Sequence, residues 1–221
     1  MSNCVKYKVH EIFKSIEGEG LRAGVPATFV RLYGCNLHCS YCDTRYSCEG
    51  KEYTEMELHS IIDAVKQLGV PFVTLTGGEP LIHDNVLLFV HNLVQAGFKV
   101  NIETNGSVEI DDYLSFGPAV MLTMDYKSPS SKMESLMKPA EICKLRDFDV
   151  IKFVVGSVED LDTMKAVMQQ YPTEAQVFAS PVFGKIEPKE IVQYVLDNEL
   201  YSCRVQLQLH KFIWPADMRG V

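Results

Sequence analysis

The feature that most constrains this chain is a repeated alternation between short apolar strands and amphipathic helices. Segments rich in β-branched and aromatic residues recur along most of the sequence, and turn residues follow them. Helical patterns separate many of these segments, as in sheets whose parallel strands are joined by crossover helices. The predicted strands cover residues 26–34, 71–78, 98–106, 119–127, 148–156, 175–184 and 203–210.

Four helices are predicted between these strands. The clearest covers residues 54–69, where Thr54 and Glu57 have capping-box spacing and Gly69 suits the helix end. Its apolar stripe consists of Leu58, Ile61, Ile62 and Val65. The other helices are predicted over residues 85–96, from Ser157 with Asp160 at the capping-box position, and from about Pro188.

This order of elements predicts an α/β fold with a mainly parallel sheet covered on its faces. We expect about six parallel strands, fewer than in a full eight-unit TIM barrel, and therefore a partial, open (β/α) barrel. No linker, low-complexity tract or repeat divides the chain, so a single domain over residues 1–221 is expected. Loops at the carboxyl ends of the strands carry the functional site in such folds.

The composition excludes several classes of function. A net charge of −8 and a pI near 5.3 argue against nucleic-acid binding and favour a small-molecule substrate. Neither a signal-peptide pattern nor an apolar run long enough to cross a bilayer is found, so no membrane partner is expected. Seven unevenly spaced cysteines fit reduced thiols in the cytoplasm better than a disulfide scaffold.

The most specific motif is a cluster of three thiols, Cys35, Cys39 and Cys42, in the loop after the first predicted strand. Thiolates bind soft metals and iron–sulfur clusters. Structural zinc generally has four protein ligands, and a fourth could come from His38, His10, Cys4 or Cys48. A four-iron cluster held by three cysteines would instead leave one iron open to another ligand. Cysteines that only pack are unexpected on so polar a loop.

This C-x3-C-x2-C spacing, with Tyr41 before the last cysteine, resembles the radical S-adenosylmethionine (SAM) superfamily. The sequences TGGEP at 76–80, ETNG at 103–106 and VVGSVED at 154–160 resemble later elements of that superfamily. The resemblance implies a [4Fe–4S] cluster on Cys35, Cys39 and Cys42, whose open iron binds SAM. One electron would then cleave SAM to methionine and a 5′-deoxyadenosyl radical.

The same resemblance implies a set of SAM-contacting residues, most of them in the loops that follow the strands. They are Tyr41, Cys42, Asp43, Gly78, Glu79, Glu103, Thr104, Lys127, Ser128, Ser180, Pro181, Val182 and Phe183.

The N-terminal sequence EIFKSIEGEGLRAGVPATFVRLYGC, over residues 11–35, is similar to the 7-carboxy-7-deazaguanine synthase family. The CDT after the last cysteine and the LHK at 209–211 carry the same resemblance. It implies that 6-carboxy-5,6,7,8-tetrahydropterin is converted to 7-carboxy-7-deazaguanine in queuosine (7-deazapurine) biosynthesis. Hydrogen abstraction at C6 would lead to ring contraction, loss of ammonia and regeneration of SAM.

The family resemblance also implies substrate and metal contacts. Arg31 lies inside an apolar strand, where a charge needs a partner, and it matches a clamp for the substrate carboxylate. Thr44 matches a Mg²⁺ ligand, since Mg²⁺ keeps several waters and needs few protein ligands. The other implied substrate contacts are Ile16, Glu17, Gly18, Glu19, Thr76 and His210.

The implied partners are a flavodoxin- or ferredoxin-type reductant and a second copy of the chain in a homodimer. Two alternatives remain at this point. One is a radical SAM activating enzyme that forms a glycyl radical on a partner protein in an open groove. The other is a non-catalytic iron–sulfur or zinc protein with a fourth protein ligand. No role is assigned to Cys4, Cys48, Cys143 or Cys203.

Overall fold

The computed structural model describes residues 5–221, which form one sheet of nine strands with helices packed on it. The sheet order is β3-β1-β2-β4-β5-β6-β7-β8-β9. The strands are β1 (Lys6–Ile16), β2 (Pro26–Leu32), β3 (Thr54–Glu57), β4 (Phe72–Gly77), β5 (Lys99–Thr104), β6 (Val120–Tyr126), β7 (Val150–Val155), β8 (Gln176–Pro181) and β9 (Cys203–Val205).

Most of this sheet is parallel. From β2 through β4 to β9, each strand pairs in parallel with the next, which gives seven parallel strands where about six were expected. Two antiparallel strands, β1 and β3, extend the sheet beyond β2 and were not predicted. Within residues 5–221, β3 and β9 are the two edges and do not pair with each other. The expected open α/β sheet is therefore confirmed.

Six α-helices connect or follow the strands in the described part of the chain. They are α1 (Leu58–Leu68), α2 (Val86–Gln95), α3 (Asp111–Leu114), α4 (Val158–Gln170), α5 (Pro188–Asp197) and α6 (His210–Ile213). None of these helices is both long and apolar enough to cross a membrane.

The helix predicted over residues 54–69 begins four residues later than expected. Thr54–Glu57 forms β3, paired with Lys6–Val9 of β1, and the predicted capping box is absent. The backbone groups of this segment bond to β1 and are not free to form the first turn of a helix. The predicted capping motif was therefore wrong. The apolar stripe was correct, since Ile61, Ile62 and Val65 are buried. Gly69 ends the helix at a φ of 71°, a left-handed conformation that favours glycine.

Two other local predictions need correction. The strand predicted over 203–210 ends at Val205, and its ladder stops after the bond from Gln206 N–H to Ala179 O because Pro181 at the end of β8 has no N–H to donate. The side chains of Gln206 and Gln208 bond to the loop after β1. His210 therefore begins α6 and does not end a strand. Ser157 caps α4 as predicted, but the carboxylate of Asp160 accepts from Gly156 N–H at 2.6 Å, outside a capping box.

An ion pair between Arg146 and the buried Asp149 stabilises the amino-terminal end of the parallel strands. Asp149 is wholly buried before β7, and Arg146 donates to its two carboxylate oxygens at 2.7 and 3.0 Å. Asp149 also accepts from Leu122 N–H of β6 at 2.8 Å. Nη1 of Arg146 donates to Leu114 O and Gly117 O, and Nη2, which also bonds Asp149, donates to Val120 O. The pair thus joins two central strands to the chain before them.

We expect Asp149→Ala to lower the free energy of unfolding by about 3–5 kcal/mol, because it leaves a guanidinium and the backbone N–H groups of Leu122 and Arg146 without their partner. Asp147→Ala is the matched control, since Asp147 is exposed, and its effect should stay within about 0.5 kcal/mol. Urea unfolding followed by circular dichroism measures both. Equal midpoints for the two variants would contradict a structural role for the pair.

Candidate active site

A cavity of about 580 Å³ opens at the carboxyl ends of the parallel strands. Its walls come from the ends of β1 and β2, the loops after β2, β4, β5, β6 and β8, and the C-terminal segment. The residues with a predicted role that line it are Ile16, Glu17, Gly18, Glu19, Arg31, Cys35, Cys39, Tyr41, Cys42, Asp43, Thr44, Thr76, Gly78, Glu103, Thr104, Lys127, Val182, Phe183 and His210.

Four residues with a predicted SAM contact do not line the cavity. Glu79 is fully buried behind it, and Pro181 ends β8 out of contact with it. Ser128 and Ser180 are also fully buried, and their hydroxyl groups have no hydrogen-bond partner. Unpaired buried hydroxyl groups are rare in proteins, and the SAM contact of these four residues stays a prediction.

The three-cysteine loop is tied to its surroundings by backbone hydrogen bonds. Gly34 N–H donates to Ser47 O at 2.9 Å, and Gly34 O accepts from Glu79 N–H at 2.9 Å. Ser40 N–H donates to Ser131 O in the loop after β6. At Gly78 a Cβ would overlap Gly34 O and Cys35 Cβ, so only glycine lets the end of β4 approach the loop this closely.

The donor set suits a cluster better than a single ion. Within residues 5–221, no three His, Cys, Asp or Glu side chains lie close enough together to hold one metal ion. The three thiols nevertheless line one cavity. Three thiols that are too far apart for one ion, and that face a cavity, match an iron–sulfur cluster of several irons more closely than a tetrahedral zinc ion. The residues present therefore fit a cluster held by Cys35, Cys39 and Cys42.

The suggested fourth ligands differ in position. Cys48 lines the cavity, and its thiol helps to lower the pKa of Cys35, together with Leu37 N–H and the Asn105 amide. His38 is exposed and does not line the cavity. His10 Nδ1 lies 2.5 Å from Glu52 O. Cys4 lies outside the described residues. Among the three described candidates, Cys48 alone combines a soft donor with a position in the cavity wall.

Arg31 is held by a carboxylate that sequence reasoning did not identify. Its Nε donates to Glu11 Oε1 at 2.7 Å, across the antiparallel pair of β1 and β2. Within residues 5–221 its two terminal nitrogens make no hydrogen bond, and the residue lines the cavity. Glu11 thus fixes one edge of the guanidinium, and the other edge is available to a ligand carboxylate.

A second carboxylate, that of Glu17, is buried at the base of the cavity with 2% of its surface exposed. It accepts hydrogen bonds from the Thr74 hydroxyl and, at 3.2 Å, from Arg22. Burial, with the nearby charge of Glu103 adding to it, raises the pKa of Glu17 above its ordinary value. A carboxyl group in this state can donate or accept a hydrogen bond toward a polar heterocycle.

A chain of four charged side chains crosses the cavity wall. Lys152 donates to Glu19 Oε2 at 2.8 Å, and Lys127 donates to Asp125 Oδ2 at 2.9 Å. Lys152 also lies 3.7 Å from Asp125, which joins the two pairs. Sequence reasoning missed Asp125 and Lys152. Lys152 could have been found, because it interrupts the apolar strand VIKFVV as Arg31 interrupts its own strand.

The C-terminal segment forms the remaining wall. His210 packs against Gly18, where a Cβ would overlap its ring, and Leu209 N–H donates to Gly18 O at 3.0 Å. Lys211 donates to Asp43 Oδ2 at 2.9 Å, which joins α6 to the cysteine loop. Arg219 stacks on Tyr46 at 4.0 Å from the ring centroid. Residues beyond α6 that line the cavity are Ala216, Asp217, Met218, Gly220 and Val221.

Comparison with known proteins identifies the family and agrees with the fold. Residues 29–152, more than half of the chain, match the family model described as the radical SAM superfamily. The crystal structure of QueE from Escherichia coli superposes with a TM-score of 0.75 at 23% identity, covering 92% of this chain and 94% of that one. At that identity the likeness establishes the fold.

Two curated relatives are similar over nearly their whole length. A 7-carboxy-7-deazaguanine synthase from Clostridium acetobutylicum is 43% identical over 221 residues, covering 98% of this chain and 100% of the relative. A protein of the same name from Methanospirillum hungatei is 42% identical, covering 93% of this chain and 85% of the relative. The chain therefore belongs to the 7-carboxy-7-deazaguanine synthase family of the radical SAM superfamily.

Proposed function

We propose that this protein converts 6-carboxy-5,6,7,8-tetrahydropterin to 7-carboxy-7-deazaguanine by radical ring contraction with loss of ammonia, in queuosine (7-deazapurine) biosynthesis. The observation that carries the proposal is one cavity in which three spaced thiols face buried charged and polar groups. The family membership gives the chemistry, and the cavity offers the partners that a flat, carboxylated heterocycle requires. The two alternatives are less well supported, since the relatives share the synthase name.

The radical SAM family implies a [4Fe–4S] cluster and SAM, and the donor set of the cysteine loop fits the cluster. When bound, the cluster supplies the electron and SAM supplies the hydrogen-abstracting group. Cys35, Cys39 and Cys42 hold the cluster in this proposal. Gly78 brings the backbone at the end of β4 within reach of SAM, and Lys127 adds a positive charge beside the thiols.

In this proposal the substrate lies between residues of β1 and β2 and the loop that joins them, on one side, and the C-terminal segment on the other. The free edge of Arg31 binds the pterin carboxylate, with Glu11 holding the guanidinium in place. Glu17 and Thr76 face the polar edge of the ring system. His210 closes the opposite side, where it packs on Gly18. The wall of ionic side chains and the C-terminal segment limit the access of water to the bound substrate.

Three further parts of the proposal concern partners. Thr44 Oγ1, which lies 3.7 Å from Cys42 Sγ, is the proposed protein ligand of a Mg²⁺ ion that also binds the substrate carboxylate. A flavodoxin- or ferredoxin-type protein is the proposed reductant. The proposed enzyme is a cytoplasmic homodimer that binds neither nucleic acid nor membrane, in keeping with its net charge of −8.

An anaerobic assay tests the reaction directly. The reconstituted protein is mixed with dithionite, SAM, Mg²⁺ and the carboxytetrahydropterin, and products are followed by mass. The expected product is lighter than the substrate by one ammonia, SAM is not consumed stoichiometrically, and omission of Mg²⁺ lowers the rate. Cleavage of SAM with the pterin left unchanged would refute this substrate and would favour the activating-enzyme alternative.

We predict that Cys39→Ala removes the cluster, because two of the three proposed ligands cannot retain four irons. Cys143→Ala is the matched control, since Cys143 is exposed and outside the cavity, and it should load normally. Iron and sulfide content and visible absorbance measure the result. Cys48→Ala should also load. Loss of iron in Cys48→Ala would instead identify a fourth protein ligand.

We predict that Arg31→Ala spares the cluster but lowers kcat/KM for the pterin by at least about 30-fold. Truncation of one partner of a buried charge pair costs about 2–5 kcal/mol, which sets this lower bound. Arg204→Ala is the control, since Arg204 is exposed on β9. Steady-state kinetics and iron content are measured on both variants. Wild-type kinetics in Arg31→Ala would remove this residue from the substrate site.

A further inference from the structure

Beside the cysteine loop, three side chains form a closed ring of hydrogen bonds. Asn105 Nδ2 donates to Asn36 Oδ1 at 3.0 Å, and Asn36 Nδ2 donates to the Ser107 hydroxyl at 2.8 Å. The Ser107 hydroxyl donates to Asn105 Oδ1 at 2.6 Å, which closes the ring. Each group in the ring thus has both its donor and its acceptor role assigned.

The orientation of the Asn105 amide in this ring is fixed by the backbone. Ser107 N–H can only donate, and it points at Asn105 Oδ1 from 3.0 Å. The oxygen of the amide must therefore face Ser107, and the nitrogen must face the cysteine loop. Asn105 is 5% exposed, so water does not compete for the amide.

The second hydrogen of this amide reaches a sulfur atom. Asn105 Nδ2 lies 3.7 Å from Cys35 Sγ, within hydrogen-bond distance for a sulfur acceptor. Leu37 N–H donates to the same sulfur at 3.4 Å. Asn105 is also anchored through its backbone, since its N–H donates to Glu79 Oε2 at 2.6 Å. The backbone bond to Glu79 and the side-chain ring thus both hold the amide toward Cys35.

We propose that Asn105 is a positioning and tuning residue for the cluster, whose side-chain amide donates a hydrogen bond to the Cys35 thiolate. The inference rests on the proposed cluster ligation by Cys35. Hydrogen bonds to ligand sulfurs stabilise the reduced, more negative state of an iron–sulfur cluster and so raise its reduction potential. The Asn36–Asn105–Ser107 ring keeps this donor in place, and neither Asn36 nor Ser107 lines the cavity.

The test is the reduction potential of the reconstituted cluster, measured by an EPR-monitored redox titration without SAM or substrate. Asn105→Ala removes the donor and should shift the potential to a more negative value. Asn105→Asp keeps the shape, loses the N–H groups and adds a negative charge, so its shift should be larger in the same direction. Asn92→Ala is the matched control on α2, where the Asn92 amide bonds only to Leu88 O, and its potential should equal that of the wild type.

Ser107→Ala provides a second route if an Asn105 variant does not retain the cluster. It leaves the amide present but opens the ring, so we expect a smaller shift toward negative potential. Loaded variants with the wild-type potential would overturn the inference and leave the proposed function intact. A wild-type protein that takes up no iron would overturn the proposed function, and this inference with it.

Discussion

The fully buried carboxylate of Glu79 connects the parts of the site that carry its chemistry. It accepts from Leu81 N–H at 2.9 Å, from the Thr104 hydroxyl at 3.0 Å and from Asn105 N–H at 2.6 Å. Its own N–H donates to Gly34 O. Through its side chain and its backbone N–H, this one residue joins the loops after β2, β4 and β5. Burial raises the pKa of Glu79 to about 7, and the hydrogen bonds from Asn105, Leu81 and Thr104 oppose that rise because they favour the charged form.

Much of this arrangement could be predicted from the sequence, because its signals are local. Apolar strands ending in glycine located the parallel sheet, and the cysteine spacing located the cluster loop. Arg31 was found because a charge inside an apolar strand needs a partner. The same reasoning applied to Lys152 would have identified the chain of four charged side chains in the cavity wall. The alternation of Lys6, Tyr7, Lys8 and Val9, with Tyr7 and Val9 buried, would have predicted β1.

Other features depend on partners that are distant in the sequence. Thr54 and Glu57 have the spacing of a helix cap, yet the backbone of β1 is a stronger partner for that segment. The alternation after Cys203 predicts a longer strand, but Gln206 and Gln208 bond to the loop after β1. The hold of Glu11 on Arg31 could not be read from either local segment. Each case is a long-range contact that outweighs a local preference.

The position of the C-terminal segment also determines the order in which the walls of the cavity form. During synthesis, the cysteine loop and the strands from β2 to β8 leave the ribosome before residues 206–221 do. Those later residues bond to Gly20, Gly18 and Asp43 and complete the wall of the cavity. Until they dock, the cavity that the thiols line lacks the wall that these residues form. The cavity is therefore completed only after its other walls have been synthesised, when residues 206–221 dock against them.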